Sequence, residues 1–318
     1  MRTATAISKA AILLACLTAA VGRADQAPQV LDEVVVTGER AGPGMWHVHR
    51  GAANVWILGS ISPLPRDITW RSKQVETVLE STSQVLVQKP IEISIPRILW
   101  MLIVDRSVLM VGGGKRLKDV LPPDLHDRFA AQRSKVTDDA GKWERYRPII
   151  AAAFLQQAAF HQANLSMRLD LGAALRILAK KHGVRVEEVK VAGVSDMLEA
   201  LKTMPPAAER TCVEASLTTV ESGIPRLVDR AQAWASGNVE RIENLPELKA
   251  VDACRVALDA GRGALDVIAR IRQTWLASIE KYLQAPGTTI AVVNLDMMLE
   301  RGGLLDALRA KGYEVDAP

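Results

Sequence analysis

The chain has 318 residues, enough for one large α/β domain or two smaller ones with a buried core. A hydrophobic content of 48% and a charged content of 24% exclude disorder as the main state, and an aromatic content of 4% supplies few platforms for stacking single-stranded nucleic acid. The formal charge of +4 falls to about +1 when Arg2, Lys9 and Arg23 are set aside with a removable leader, since 37 basic residues then face 36 acidic ones, and no polyanion-binding field follows.

The leader is read from its charge and apolar pattern. Arg2 and Lys9 form a positive start, Ala10 to Val21 is apolar, and Gly22-Arg23-Ala24 offers small residues at the two positions that a signal peptidase reads. The expectation is a signal peptide over 1–24, export to the periplasm or beyond, and no transmembrane span in the mature chain, because the stretch falls short of the roughly 20 apolar residues a span needs. Leu13-Leu14-Ala15-Cys16 gives the rival reading, a lipoprotein box with Cys16 as the lipidated first residue. Under cleavage at Ala24, Cys212 and Cys254 are the only cysteines left, and an oxidising compartment favours their pairing over two buried free thiols.

A leader over 25–44 carries Glu33 to Gly38, EVVVTG, which resembles the segment near the mature N-terminus of TonB-dependent outer-membrane receptors. Its β-branched residues suit addition to a partner's sheet edge, as in a TonB-type contact, but the favoured reading is an edge strand or flexible leader of this same protein. Gly42-Pro43-Gly44 punctuates the chain, so a domain is expected over 45–318.

Met45 to His49 and Val55 to Leu58 read as a hairpin, followed by a loop over Gly59 to Pro65. Val75, Val78 and Leu79 mark a helical stripe, and Val85-Leu86-Val87 a short buried strand, together a βαβ unit. Ile91 to Val111 is apolar, but Pro96, Arg97, Asp105 and Arg106 divide it into pieces too short to span a membrane; it reads as a buried hairpin or helix, or an apolar contact surface. Helical patterns dominate Pro122 to Leu283, with Pro148 placed to start a helix, Gly183 to end one, and Val184 to Val191 alternating like a strand. Thr288 to Val293 is a buried strand, Asn294 to Arg301 a loop or short turn, Gly302 to Arg309 a helix stopped by Gly312, and Tyr313-Glu314-Val315 a last strand.

Met45 to Pro65 (MWHV…NVWILGSISPLP), Gly114 to Phe129 (GKRLKDVLPPDLHDRF) and Gly302 to Val315 (GGLLDALRAKGYEV) resemble the TraB/GumN family. The resemblance implies an α/β fold shared with erythromycin-esterase-like and ChaN-like proteins, with a central mixed sheet and a large helical portion. Members related to the Tiki proteins are regarded as metal-dependent peptidases. The family places a Gly-x-x-His motif after each of two strands and an acidic residue after another, so that distant loops converge on one ion at the strand ends.

This chain departs at each point. Gly59-Ser60-Ile61-Ser62 has Ser where His is expected, and Val293-Asn294-Leu295-Asp296 lacks both Gly and His. Val85-Leu86-Val87-Gln88 ends in an amide, and Val189-Lys190-Val191 stands where Leu-Glu-Thr is expected. A Ser hydroxyl and a Gln carbonyl are poor ligands for a transition metal. The reading is therefore a binding or accessory protein, with no cofactor, whose pocket is formed by Gly59, Ser60, Ser62, Gln88 and Asp296 and accepts a peptide or envelope component. The alternative is a metal-dependent hydrolase that recruits His47, His49 and Asp296 around a divalent ion. His47 and His49, two apart on a strand, share one face, and with no third ligand signalled nearby the favoured reading of the pair is a solvated strand face. His126, His161 and His182 stand singly, the last as a helix C-terminal cation. Gly112-Gly113-Gly114-Lys115 lacks the P-loop spacing, and no base is signalled for Ser60 or Ser62 as a nucleophile.

Overall fold

The hairpin predicted at Met45 builds one side of a six-stranded sheet. In the computed structural model, which describes residues 42–70, 73–90, 106–167, 171–245, 251, 253–254, 256–257 and 262–318, strand β1 (Met45–Arg50) pairs antiparallel with β2 (Ala53–Ser60). The expected signal peptide over 1–24, Cys16, the Glu33 to Gly38 segment and most of the apolar stretch from Ile91 lie outside the described residues.

Next along the chain come β3 (Leu64–Pro65), β4 (Gln84–Gln88), β5 (Leu165–Ser166), β6 (Arg185–Val189), β7 (Gly287–Asn294) and β8 (Glu314–Asp316). The main sheet runs β6-β4-β7-β2-β1-β8, with β6, β4, β7 and β2 parallel and β1 antiparallel to both its neighbours. The fold class is thus mixed α/β. Of the parallel strands, β4 and β7 read as continuous apolar runs because both of their faces are buried, whereas the edge strand β6 alternates and is largely exposed. Val85, Leu86, Val87, Ile290 and Ala291 are all fully buried in a core shared with Leu79, Leu175, Trp275 and Ile279.

Two expected loops carry structure instead. β2 runs on to Ser60, and Leu64–Pro65 pairs with Leu165–Ser166 in a two-stranded patch beside the main sheet. Pro65 needs no partner for the N–H it lacks there, as suits an edge. After β7, Asn294 caps a helix over Leu295–Leu299: its side-chain oxygen accepts from the Met297 N–H at 3.0 Å. An Asn cap is a start signal that the Gly-rich run behind it obscures.

Helices over Pro123–Val136, Pro148–Gln162 and Pro206–Thr218 enclose a second core of Leu117, Leu125, Phe129, Leu155, Val213 and Leu217. Pro148 occupies the first turn of its helix, where a missing N–H costs nothing. Cys212, buried in the Pro206–Thr218 helix, is disulfide-bonded to Cys254, with Cα atoms 4.5 Å apart. No helix among the described residues is long and apolar enough to cross a membrane.

Candidate functional site at the strand ends

The C-terminal ends of the parallel strands meet along one edge. Gly59 pairs with Val293 and Ser60 with Asn294, while Gln88 of the next strand but one pairs with Val189. The loops that follow β2, β7, β4 and β6 therefore leave the sheet at the same end, where crevices of open α/β sheets form. Gly59, Ser60, Ser62, Gln88 and Asp296 all sit in or just after those strand ends.

Each of them is already engaged. Gly59 is buried, and its carbonyl accepts from the Trp234 indole N–H at 2.7 Å, which ties the Ile224–Ala235 helix across the strand end. A Cβ on Gly59 would stand 2.5 Å from Leu295 Cδ1 and 3.2 Å from the Trp46 ring, so only glycine fits. The Ser60 hydroxyl donates to the Val293 carbonyl at 3.2 Å, joining the two motif strands. Exposed Ser62 makes a weak contact, its hydroxyl 3.6 Å from Met167 Sδ. The backbone carbonyl of Gln88, not its side-chain amide, accepts from Arg176 Nη2 at 2.6 Å. Asp296 forms a bidentate ion pair with Arg230 of the Ile224–Ala235 helix, one arm at 3.4 Å and the other shorter. Lys190 is exposed beyond the end of β6.

Arg230, Trp234 and Arg176 were not singled out in the sequence. A guanidinium opposite an acidic side chain 66 positions away leaves no trace in local spacing. Two concavities among the described residues lie elsewhere, one beside Met110, Arg147 and Glu209, the other beside Trp46, Glu243, Met298 and Pro318.

The residues of the alternative set are not brought together. His49 lies opposite Asn54 near the start of β2, whereas Asp296 follows Asn294, which lies opposite Ser60 at the end of β2. Six residues of strand separate those levels, roughly 20 Å at 3.3 Å per residue. Direct ligation of one ion by His47, His49 and Asp296 would need donors about 2.0–2.2 Å from it, so this set is set aside. The two imidazoles do share a face, with ring centroids 4.5 Å apart, but the carboxylate beside them is Asp316. Of the single histidines, His126 lies 3.2 Å from the buried Glu144, which also pairs with Arg133.

A model of the TraB/PrgY/gumN family matches residues 44–317. The chain belongs to this family. No curated protein and no solved structure matches it. Membership implies a divalent ion at the strand ends of those relatives that carry the histidine motifs, and the donors present here do not fit one. Ser62 and Gln88 offer neutral oxygens, and the only carboxylate at the motif positions, Asp296, is neutralised by Arg230. A guanidinium in that place repels a cation as the carboxylate attracts it.

Proposed function

We propose that this TraB/PrgY/gumN family member is an exported envelope protein that works by binding, with the strand-end surface around Ser62, Gln88 and Asp296 as its contact for a peptide or envelope component. The observation that carries the reading is the Arg230–Asp296 pair. It occupies the second motif position with a fixed charge pair, a group suited to recognition and unsuited to activating water. Export is supported by the apolar leader behind Arg2 and Lys9 and by the Cys212–Cys254 disulfide, a bond that persists in oxidising compartments. Ser62 is exposed beside the exposed Met167, while Gln88 and Asp296 supply polar groups at the other strand ends, as suits contact with an extended chain.

The test is peptide selection from a random library on the mature chain. Selected peptides should bind Ser62→Trp, which fills the edge without touching the core, at least tenfold more weakly. Peptides that bind both proteins alike, or that the wild-type protein cleaves, would remove the reading.

A further inference from the structure

At the opposite end of the sheet from the motif loops, β1 presents His47 and His49 on one half-buried face. Register places Trp56 and Asn54 across from them on β2, and Asp316 and Glu314 across from them on β8. The His47 ring is stacked between Trp56, at 4.2 Å, and His49, at 4.5 Å, so neither its plane nor its position is free.

The hydrogen bonds fix which nitrogen of His47 carries a proton. Asn54 Nδ2 donates to the Ala52 carbonyl at 3.1 Å, which turns Asn54 Oδ1 toward the imidazole. That oxygen only accepts, so His47 Nε2, 2.8 Å away, is the donor. In the neutral ring the lone pair then lies on Nδ1, which faces Asp316 Oδ2 at 3.4 Å. The same carboxylate oxygen lies 3.2 Å from His49 Nε2. His49 Nε2 can meet that oxygen as an N–H donor, whereas the His47 Nδ1 lone pair and the carboxylate face one another with no ring proton between them, an arrangement that a cation would bridge.

The two nitrogen-to-oxygen spacings are compatible with a coordination polyhedron. Metal–ligand bonds of about 2.0–2.1 Å in tetrahedral geometry set neighbouring donor atoms about 3.3 Å apart. The two nitrogen-to-oxygen separations here are 3.4 and 3.2 Å, and one donor atom from each of His47, His49 and Asp316 lies within 4.8 Å of the others. Asn54 holds the remote nitrogen of His47 as an outer partner holds a ligating imidazole. Glu314 adds a carboxylate oxygen 3.9 Å from His49 Nε2.

We propose that His47, His49 and Asp316 form a binding site for a single divalent transition cation of the zinc type, with a fourth position open to water or to Glu314. Two imidazoles and a carboxylate suit that class of ion and disfavour calcium or magnesium. Bound there, the ion fastens the three-residue strand β8, close to the C-terminus, to the middle of β1. The site shares no residue with the strand-end surface and stands independently of the function proposed for it.

A competition titration of tag-free, chelator-treated full chain with zinc against a chromophoric chelator tests the site, with visible absorption of the cobalt-loaded protein as a report of tetrahedral coordination. One equivalent should bind. Asp316→Asn and His49→Gln should each weaken affinity at least tenfold, Asn54→Ala should weaken it roughly 10–100-fold with all three ligands retained, and Asp296→Ala should leave it unchanged. Asp316 is exposed, so its isosteric replacement keeps the fold, which far-ultraviolet circular dichroism checks. Failure to bind one equivalent, or unchanged affinity in Asp316→Asn and His49→Gln, would overturn the proposal and leave the cluster as an imidazolium–carboxylate pair in which a proton replaces the metal.

Discussion

Gly59 shows how one residue couples the strand-end surface to the core. It stands where the first family motif begins, yet its role is steric and structural: its carbonyl anchors Trp234, and its missing side chain admits Leu295, the first residue of the helix that carries Asp296. Leu295 is 1% exposed and has no room to retreat. Gly59→Ala should therefore destabilise the fold by about 1–3 kcal/mol, the range for overpacking a filled core, and chemical denaturation would measure it. Asn294→Ala should cost about 1 kcal/mol through loss of the helix cap, and would loosen the helix that carries Asp296 while leaving the backbone pairing of β7 with β2 in place. At this scale the sequence was partly legible. The period of two put His47 and His49 on one face, as found, but the acidic partner was sought in Asp296. Asp316, 267 positions from His49, is joined to it only by the pairing of β1 with β8. The alternation Glu314-Val315-Asp316 was the available clue, since it sets both carboxylates on one face of the last strand.

Among the elements, the buried strands β4 and β7 and the helix begun by Pro148 were readable because apolar runs and Pro at the first turn are local signals. The Asn-capped helix at Leu295 and the Leu64–Pro65 pairing were not, since one is a single short turn-and-a-half and the other depends on a partner a hundred residues away. Charge pairs between elements were equally silent in sequence. The Arg262–Leu283 helix is pinned to β6 by Lys281 and Tyr282, which both bond Glu187, Tyr282 Oη donating at 2.5 Å and Lys281 Nζ at 2.9 Å. Tyr282 first, and Lys281 after it, hold the Glu187 carboxyl below its ordinary range, while burial and the Glu187 charge push the Tyr282 hydroxyl up. A depressed carboxyl stabilises the fold above its unfolded pKa, and that contribution is lost as pH falls through the folded value. Tyr282→Phe should thus lower stability by about 1 kcal/mol near neutrality, at the low end for a bond to a partly exposed charged group. The difference from wild type should shrink toward zero in acid, below about pH 4. Urea melts across that range would reveal it, and a pH-independent difference would place the effect in packing.

At the scale of the whole molecule, the disulfide and the strand-end surface belong to different parts of the architecture. Cys212–Cys254 closes a loop with a sequence separation of 42 within the helical portion. Reducing it should cost roughly 3–4 kcal/mol in the chain-entropy account, read as a lower midpoint of thermal unfolding with a reductant present. The sheet edge, by contrast, is held by groups that do not depend on an ion: Trp234 on Gly59, Ser60 on the Val293 carbonyl, and Arg230 on Asp296. The motif positions are thus held together without metal ligands, which agrees with the proposed role in recognition. The most direct measurement is hydrolysis of a mixed peptide library by zinc-loaded protein, with and without chelator, beside the Asp296→Ala variant. No cleavage above the protein-free rate is expected under any of these conditions, whether or not zinc binds at His47, His49 and Asp316. Chelator-sensitive cleavage that Asp296→Ala abolishes would contradict the proposed role.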